Sequence, residues 1–103
     1  MVKPSYTTII HVLRRKYKLT NDDYCVVDSI HKLSNNPDFP WCRTAKRELG
    51  EFLNLSERTI YRICEKMLKL GFLEKSEDDI KLLRTTKKWN EEIELLKENI
   101  FNK

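Results

Sequence analysis

The stretch of residues 44–75 constrains the fold most strongly, because it carries two helical patterns with only a short break between them. Apolar residues recur at helical spacing in both halves, so each half has one face suited to a core. These residues are Ala45, Leu49, Phe52 and Leu53 in the first half, and Ile60, Ile63, Met67 and Leu70 in the second. Asn54 suits a sharp turn, because Asn enters the left-handed backbone region at little cost. Ser56 can cap the helix that follows and Gly71 can end it, which predicts a second helix over residues 57–70.

Three residues have specific predicted roles in this helical pair. Thr44 is expected to cap the first helix, since a threonine hydroxyl accepts a hydrogen bond from a free backbone N–H there. Gly50 lies inside that helix, where glycine costs about 1 kcal/mol relative to alanine. Such a cost is tolerable where a second helix crosses closely, so we expect a close crossing at Gly50. Cys64 lies beside the apolar stripe of the second helix and is expected to fill the core.

Two helices and a loop are predicted before this pair. For residues 8–17 the β-branched composition favours a strand, whereas the spacing of the apolar residues favours a helix, and we predict a helix that is entered through an extended residue or two. Thr20 and the acidic residues after it form a capping cluster, so the next helix is expected to run to about Ser34. Residues 35–40 contain two asparagines and two prolines and are predicted to form a loop.

A hairpin and a last helix are predicted after Gly71. Residues 72–75 and 80–85 flank a polar turn, which is typical of two antiparallel strands. Residues 89–101 then repeat apolar side chains at helical spacing. The predicted fold class is mainly α with a small β-hairpin, in one domain over residues 1–103. A chain of this length buries about two-thirds of its unfolded surface.

The helical pair and the hairpin resemble the helix-turn-helix and the wing of winged-helix DNA-binding domains. The resemblance rests on Leu49-Gly50, Leu53-Asn54-Leu55-Ser56, Thr59-Ile60, Met67 and Gly71-Phe72-Leu73. It implies a three-helix core with a helix-turn-helix over residues 44–70, a wing over residues 72–86 and a C-terminal helix over residues 89–101. It also implies sequence-specific binding of double-stranded DNA through a recognition helix over residues 57–70. Asn54 stands where such motifs usually carry glycine.

Shorter stretches are similar to replication-initiator-type proteins of phages and mobile elements. They are Asp23-Tyr24-Cys25-Val26, Leu33-Ser34-Asn35-Asn36-Pro37, Trp41-Cys42, Leu83-Arg84-Thr85-Thr86 and Trp89. This similarity implies a role in initiating DNA replication. A transcriptional regulator with the same fold and a winged-helix module that binds a partner protein are the alternatives, because a fold alone does not fix a function.

The charge distribution indicates a polyanionic partner. The chain has 20 basic and 16 acidic residues and a net charge of +4. Residues 1–88 carry +6, whereas residues 89–103 carry −2. No acidic residue occurs among the first 19, which contain the basic residues Lys3, Arg14, Arg15, Lys16 and Lys18. Such asymmetry is typical of a surface that faces a polyanion, although a solvated basic face has the same composition.

The residues expected to contact DNA lie on the exposed side of the helix over 57–70 and at the start of the helix before it. Arg58 and Arg62 are four residues apart, and an arginine can donate two hydrogen bonds to guanine O6 and N7. Tyr61 can contact a thymine methyl group or a phosphate. The predicted DNA-binding residues are Thr44, Lys46, Arg47, Glu57, Arg58, Thr59, Tyr61, Arg62, Lys66 and Lys69. The alternative is an ordinary solvated helix surface with ion pairs such as Arg58–Glu65.

The predicted wing has an acidic tip. Glu77, Asp78 and Asp79 would repel phosphates, so we expect this tip to lie away from DNA. Basic residues at the base of the wing, or those near the amino end of the chain, can reach the DNA backbone instead. They are Lys75, Lys81 and Arg84, and Arg14, Arg15, Lys16 and Lys18.

Catalytic, cofactor and metal chemistry find little support in the sequence. The only glycines are Gly50 and Gly71, so there is no glycine-rich phosphate loop, and no nucleophile–base pattern surrounds a serine or cysteine. The three cysteines are widely spaced and fit neither a zinc site nor a disulfide framework. We expect a non-enzymatic protein without cofactor, metal or small-molecule ligand. With no apolar run long enough for a membrane span and no signal-peptide pattern, the expected location is the cytoplasm.

The predicted C-terminal helix carries an apolar seam with spacings of four, three and four residues, formed by Trp89, Ile93, Leu96 and Ile100. Such a seam is typical of paired helices, and a helix of about 13 residues is marginal alone in water. Trp89 is expected to pack within its own domain. Ile93, Leu96 and Ile100 are expected to pack either on the protein's own first helix or on the same helix of a second copy. The second arrangement would form a homodimer.

Overall fold

Five helices and one antiparallel hairpin make up the part of the chain that the structure describes. The structure is a computed structural model, and it describes the backbone of residues 6–101 and the side chains of residues 6–96. The elements are α1 (His11–Lys16), α2 (Asn21–Leu33), α3 (Lys46–Leu53), α4 (Glu57–Leu70), β1 (Leu73–Lys75), β2 (Leu83–Thr85) and α5 (Lys87–Phe101). The predicted fold class, mainly α with a small hairpin, is confirmed. None of the helices in the described residues has the length and apolarity that crossing a membrane requires.

The core is built around Trp89, the third residue of α5, which has no exposed surface. The centroid of its indole ring lies 5.2 Å from that of Tyr24 in α2 and 5.3 Å from that of Phe72. Tyr17 packs edge-on against Phe72 with 4.8 Å between centroids. Aliphatic side chains complete this core, among them Leu13, Val26, Val27, Ile30, Leu49, Ile60, Ile63 and Met67. The expectation that Trp89 packs within its own domain is confirmed, and such burial is the main favourable contribution to folding.

Helix α1 is shorter than predicted. The apolar spacing predicts a helix over residues 8–17, but residues 6–10 lie outside the helix, which begins at His11. Four of those five residues are β-branched, and their stiff side chains favour extended backbone. Lys32 of α2 also holds this segment, because its ammonium group donates to the carbonyl oxygen of Tyr6 at 2.7 Å and lies 4.5 Å from the ring centroid. The prediction for the first turn is therefore wrong.

Helix α2 begins at the predicted capping cluster. Thr20 Oγ1 accepts a hydrogen bond from the backbone N–H of Asp23 at 3.0 Å, and Asp23 Oδ2 accepts one from the backbone N–H of Thr20 at 2.9 Å. The two bonds satisfy donors that the first turn of a helix leaves free. The helix ends at Leu33, next to Ser34, whose hydroxyl donates to the carbonyl oxygen of Ile30 at 2.7 Å.

The junction of α3 and α4 has the predicted turn. Asn54 is left-handed, with φ 59° and ψ 44°. Ser56 Oγ accepts a hydrogen bond from the backbone N–H of Thr59 at 3.1 Å, and Gly71 ends α4 with a φ of 81°. Helix α4 therefore has the bounds that its caps predict.

The start of α3 and the reason for its glycine differ from the prediction. Thr44 is not the cap, because the helix begins at Lys46 and Ala45 holds the cap position with extended backbone and no side-chain hydrogen bond. The prediction follows from the preference of caps for threonine over alanine, and it is wrong by one residue. Gly50 is required by the turn rather than by a crossing helix. A Cβ at Gly50 would overlap the carbonyl oxygen of Leu55, whose N–H donates to the Gly50 carbonyl at 2.8 Å.

The hairpin pairs three residues of each strand, with Leu73 opposite Thr85, Glu74 opposite Arg84 and Lys75 opposite Leu83. Pairing in the second strand begins three residues later than the predicted start at Ile80. Residues 76–82 instead fold into a loop, since the N–H of Ser76 donates to the carbonyl oxygen of Leu82 at 3.1 Å. On the other side of β2, the N–H of Cys42 donates to the carbonyl oxygen of Leu83 at 2.8 Å. The segment before α3 therefore lies along the hairpin.

Helix α5 begins at Lys87, two residues before the predicted start at Trp89. Thr86 precedes it and ties it to the end of α4. Its Oγ1 accepts a hydrogen bond from the N–H of Trp89 at 3.5 Å and donates one to the carbonyl oxygen of Gly71 at 2.5 Å. This tie fixes the position of Trp89 in the core.

All three cysteines are free thiols. Cys42 and Cys64 are buried, and Cys25 is half-buried. Burial raises the pKa of the Cys64 thiol to about 11, so the group stays protonated and behaves as a small apolar side chain. The prediction that Cys64 fills the core is confirmed.

Candidate nucleic-acid interface

Helix α4 has one buried side and one exposed side. Its buried residues, Ile60, Ile63, Cys64 and Met67, are each at most 2% exposed. Its exposed residues are Glu57, Arg58, Tyr61, Arg62, Glu65 and Lys69. Because the helix is capped at both ends and packed along its length, the exposed residues are held on a rigid support.

Arg58 and Arg62 stand on one face of α4 without partners in the described residues. Both side chains are exposed and lie four positions apart, which places them on the same side of a helix. The ion pairs and side-chain hydrogen bonds of the described residues involve neither guanidinium group. The alternative ion pair Arg58–Glu65 is therefore not formed. The five N–H donors of each guanidinium group are therefore open to solvent.

Tyr61 joins the exposed side of α4 to the start of α3. The tyrosine is 52% exposed, and the ammonium nitrogen of Lys46 lies 5.1 Å from its ring centroid. A cation–π contact of this exposed kind contributes about 0.5–1 kcal/mol. Thr59 has a different place, because its Oγ1 accepts a hydrogen bond from Ser56 Oγ at 2.8 Å within the helix cap. The structure thus brings Lys46 and Tyr61 together and assigns the Thr59 hydroxyl to the cap.

A groove of about 230 Å³ runs between α4 and the hairpin. Lys46, Lys75 and Lys81 line it together with Tyr61 and Glu65. The ion pairs of the described residues involve none of these three lysines, so the groove holds three unpaired cations against one carboxylate. The sequence predicts Lys75 and Lys81 at the base of the hairpin, and in the structure both line the groove beside α4.

Lys66 has a partner inside the protein. Its ammonium nitrogen lies 2.6 Å from Oδ2 of Asp23, a carboxylate whose side chain is 6% exposed. The side chain of Lys66 is itself 42% exposed. Arg47 forms a looser pair with Glu51 at 3.7 Å, with both side chains largely exposed. Of the remaining predicted site residues, Thr44 is half-buried in the segment that leads into α3.

The acidic tip of the hairpin is organised by Ser76, whose side chain is buried. Its hydroxyl oxygen accepts hydrogen bonds from the N–H groups of Asp78 at 3.2 Å and Asp79 at 3.4 Å. Asp79 Oδ1 in turn accepts one from the N–H of Lys81 at 3.0 Å. The Asp79 carboxylate is therefore part of the loop, while Glu77 and Asp78 are the outer carboxylates.

Several of the other basic residues are already engaged. Arg14 donates to the carbonyl oxygen of Leu19 at 3.1 Å, and Lys16 pairs with Glu92 at 3.2 Å. Arg84 pairs with Glu74 across the hairpin at 2.5 Å, and its guanidinium lies 4.1 Å from the ring of Trp41. The sequence offers seven basic residues outside α3 and α4 as contacts to the DNA backbone. Three of them, Arg14, Lys16 and Arg84, are therefore engaged within the protein.

Among the described side chains, those of residues 6–96, no three His, Cys, Asp or Glu residues gather closely enough to hold a metal ion. Comparison of the chain with protein-family models, with curated proteins and with solved structures found no match.

Proposed function

We propose that this protein is a winged-helix domain that binds double-stranded DNA sequence-specifically through α4, without catalysing a reaction. The observation that carries the proposal is the pair of exposed, unpartnered arginines in the first half of a helix that is capped and packed on its opposite side. A folded protein that leaves two arginines unpaired on one rigid face has donors ready for a partner that it does not itself contain.

The dimensions of α4 suit the major groove. It is 14 residues long, and an α-helix with its side chains is about 10–12 Å across, which fits a major groove about 12 Å wide. In helix-turn-helix proteins, the amino-terminal residues of the second helix meet the base edges. Arg58 and Arg62 occupy that part of α4, and each can donate two hydrogen bonds to a guanine. We assign base recognition to these two residues.

The groove between α4 and the hairpin would hold the phosphate backbone. Lysines position a duplex through its phosphates without reading sequence. Lys46, Lys75 and Lys81 line one groove beside the exposed side of α4. The short loop between Lys75 and Lys81 carries the acidic tip, so we place the phosphates at the base of the hairpin and not at its end.

The order of elements supports the winged-helix interpretation. Helices α2, α3 and α4 would form the three-helix core, and the hairpin that follows α4 would be the wing. The similarity to replication-initiator-type proteins suggests that DNA binding serves replication initiation of a phage or mobile element. Regulation of transcription is the alternative use of the same interface.

The first experiment is selection of preferred duplexes from a random oligonucleotide pool, followed by fluorescence anisotropy with the selected site. Arg58→Ala and Arg62→Ala should each weaken binding to that site by about 1–3 kcal/mol and relax discrimination at one base pair. Lys87→Ala is the control, because Lys87 is an exposed cation of α5 whose side chain is 89% exposed. It should change affinity much less than either arginine variant.

A salt titration separates DNA binding from the protein-interaction alternative. Binding that neutralises phosphates falls steeply as salt rises, with a slope of about −0.9 per phosphate contact in a double-logarithmic plot. The absence of any selected sequence, or affinity for duplexes that does not change with salt, would count against the proposal.

A further inference from the structure

Two surfaces lie outside the proposed interface. One is the apolar seam of α5, of which Ile93 and Leu96 are half-buried against the core and the side chain of Ile100 lies outside the described residues. Its use between two copies of the chain therefore stays a prediction. The other is the outer face of the hairpin and of the segment beside it, where two arginines stack on aromatic rings.

The two stacked arginines differ in their partners. The guanidinium carbon of Arg84 lies 4.1 Å from the ring centroid of Trp41, and Arg84 also pairs with the carboxylate of Glu74. The guanidinium carbon of Arg43 lies 3.6 Å from the ring centroid of Phe39. The ion pairs and side-chain hydrogen bonds of the described residues do not involve Arg43, and its side chain is exposed. Within the described part of the protein, Arg43 is therefore a stacked cation without a carboxylate partner.

The pairing of the strands places Arg43 at the base of the hairpin. Cys42 pairs with Leu83 in an antiparallel bridge, so Arg43 stands opposite Leu82. Leu82 directly follows Lys81, one of the three lysines in the groove beside α4. Side chains alternate between the two faces of a strand, and because Cys42 is buried, Arg43 projects from the outer face. Arg43 and the groove therefore lie at the same end of the hairpin, on its two opposite faces.

Phe39 is held in place by the backbone of its own loop. Its N–H donates to the carbonyl oxygen of Asn36 at 3.1 Å, and its carbonyl oxygen accepts the N–H of Trp41 at 2.9 Å. The ring is half-buried, so it offers Arg43 a fixed surface. An arginine that is already ordered by stacking loses less conformational freedom when it binds a ligand.

We propose that Arg43 binds a phosphate of the DNA backbone and that Phe39 is its positioning residue, an inference that rests on the proposed function because the ligand is the same duplex. The N–H donors of a guanidinium group lie in its plane. A ring against one face therefore leaves the edge open for two parallel hydrogen bonds to phosphate oxygens.

The position of Arg43 favours a phosphate over a base. Arg43 belongs to the segment before α3, whereas the helix proposed to enter the major groove is α4. Phosphates recur at every ~3.4 Å of axis along each strand of DNA. A duplex held by the groove lysines therefore offers further phosphates beyond them, and Arg43 is the unpaired cation at that edge of the hairpin on its outer face.

Anisotropy titrations with the selected duplex and with unrelated duplexes test the contact. Arg43→Ala should weaken binding to all of them about tenfold, as the loss of one charge-assisted contact does. It should also lower the salt slope by about one. Arg43→Lys keeps the charge but not the planar fork, so the slope should stay near that of the wild type while affinity falls about threefold. Lys87→Ala, which removes an exposed cation of α5, is the control and should change neither quantity.

A double-variant cycle tests the role of Phe39. Phe39→Leu removes the ring but keeps an apolar side chain, and it should weaken binding about threefold when Arg43 is present. In the background of Arg43→Ala it should have no further effect, because the ring acts through the arginine. A merely structural role of Phe39 would weaken binding equally in both backgrounds. Circular dichroism checks that each variant is folded.

Ethylation interference on the selected duplex identifies the phosphate. At one phosphate, ethylation should weaken binding of the wild type but not of Arg43→Ala. A wild type that binds no duplex would overturn both proposals. If Arg62→Ala impairs binding while Arg43→Ala leaves affinity and salt slope unchanged, only the role of Arg43 is overturned. A change of the preferred sequence in Arg43→Ala would assign this residue to a base and overturn the phosphate contact.

Discussion

The ammonium nitrogen of Lys66 lies 2.6 Å from Oδ2 of Asp23, and the same carboxylate oxygen accepts the N–H of Thr20 at 2.9 Å. One buried carboxylate therefore closes the amino end of α2 and holds the middle of α4. Since α4 carries the proposed base-reading arginines, this contact helps to hold the helix on which they lie. Lys66 therefore contributes to the packing of α4 against α2.

Replacing Lys66 by methionine should destabilise the fold by about 1–2 kcal/mol, because it leaves a carboxylate that is 6% exposed without its cation. The full cost of breaking a buried pair is larger, but the lysine itself is 42% exposed, which weakens the pair. The free energy of unfolding in urea measures the loss. Lys69→Met removes an exposed cation one turn along the same helix, and it should cost less than about 0.5 kcal/mol.

The same two variants distinguish the two roles of these lysines in DNA binding. Lys66→Met should leave the salt slope of duplex binding unchanged under conditions where the variant is folded. Lys69 keeps its predicted phosphate contact, so Lys69→Met should lower the slope by about one. Equal stability of Lys66→Met and the wild type would show that the pair with Asp23 does not hold α4.

Gly50→Ala should destabilise the protein by about 2–3 kcal/mol, although alanine is the better helix former by about 1 kcal/mol. The added methyl group overlaps the carbonyl oxygen of Leu55, a backbone atom that cannot rotate away. Thermal unfolding measures the change. Ala45→Gly is the reverse substitution at the exposed cap position of α3, where glycine is the better cap, so this variant should be at least as stable as the wild type. A Gly50→Ala variant as stable as the wild type would mean that the turn can move away from α3.

The bounds of α4 were predictable because they depend on local chemistry. A cap serine, a left-handed asparagine and a terminal glycine act over three or four residues, and Ser56, Asn54 and Gly71 adopt the predicted conformations. The start of α3 was missed by one residue because an alanine occupies the cap position there. Cap preferences are statistical, so packing can override them at a single position.

The arrangement of the candidate interface depends on contacts that are distant in the sequence. Lys66 meets Asp23, 43 positions away, and no local pattern distinguishes it from Lys69. Lys75 and Lys81 reach the side of α4 only because the hairpin folds back along that helix. The composition of residues 44–75 therefore predicts which face of α4 is exposed, but not which of its cations remain unpaired.

The contact between Tyr17 and Glu92 should make stability depend on pH at both ends of the scale. Donation from the tyrosine hydroxyl is the main cause that lowers the pKa of the Glu92 carboxyl below 4.5 and raises the pKa of Tyr17 above 10.0. The contribution of Glu92 is complete above pH 4.5 and is lost as the pH falls through its pKa in the folded protein. The contribution of Tyr17 is complete below pH 10.0 and is lost as the pH rises through the pKa of Tyr17 in the folded protein.

Tyr17→Phe should flatten both ends of the curve of unfolding free energy against pH. The phenol no longer titrates, and the Glu92 carboxyl keeps its weaker interactions with Lys16 and Lys88. Urea midpoints measured between about pH 3 and pH 11 show this, since that range spans both ordinary pKa values. Tyr61→Phe is the control, because the Tyr61 side chain is exposed and its hydroxyl makes no hydrogen bond among the described residues. Identical pH curves for Tyr17→Phe and Tyr61→Phe would contradict the assignment.

The hairpin provides a last prediction, because its base and its tip carry opposite charges. Lys75→Met/Lys81→Met should weaken binding to all duplexes by a similar factor and lower the salt slope by about two, one unit for each lost phosphate contact.

Glu77→Gln/Asp78→Asn removes only the two outer carboxylates and spares Asp79, whose carboxylate accepts the N–H of Lys81. This second variant should raise affinity roughly twofold to fivefold at low salt, because it removes long-range electrostatic repulsion of the DNA phosphates. The preferred sequence should not change. The gain should disappear as salt shortens the range of the field to about 8 Å at physiological ionic strength. Anisotropy titrations at several salt concentrations measure both variants against the wild type. A large loss of affinity in Glu77→Gln/Asp78→Asn would place the tip on the DNA and contradict the position of the phosphates at the base of the hairpin.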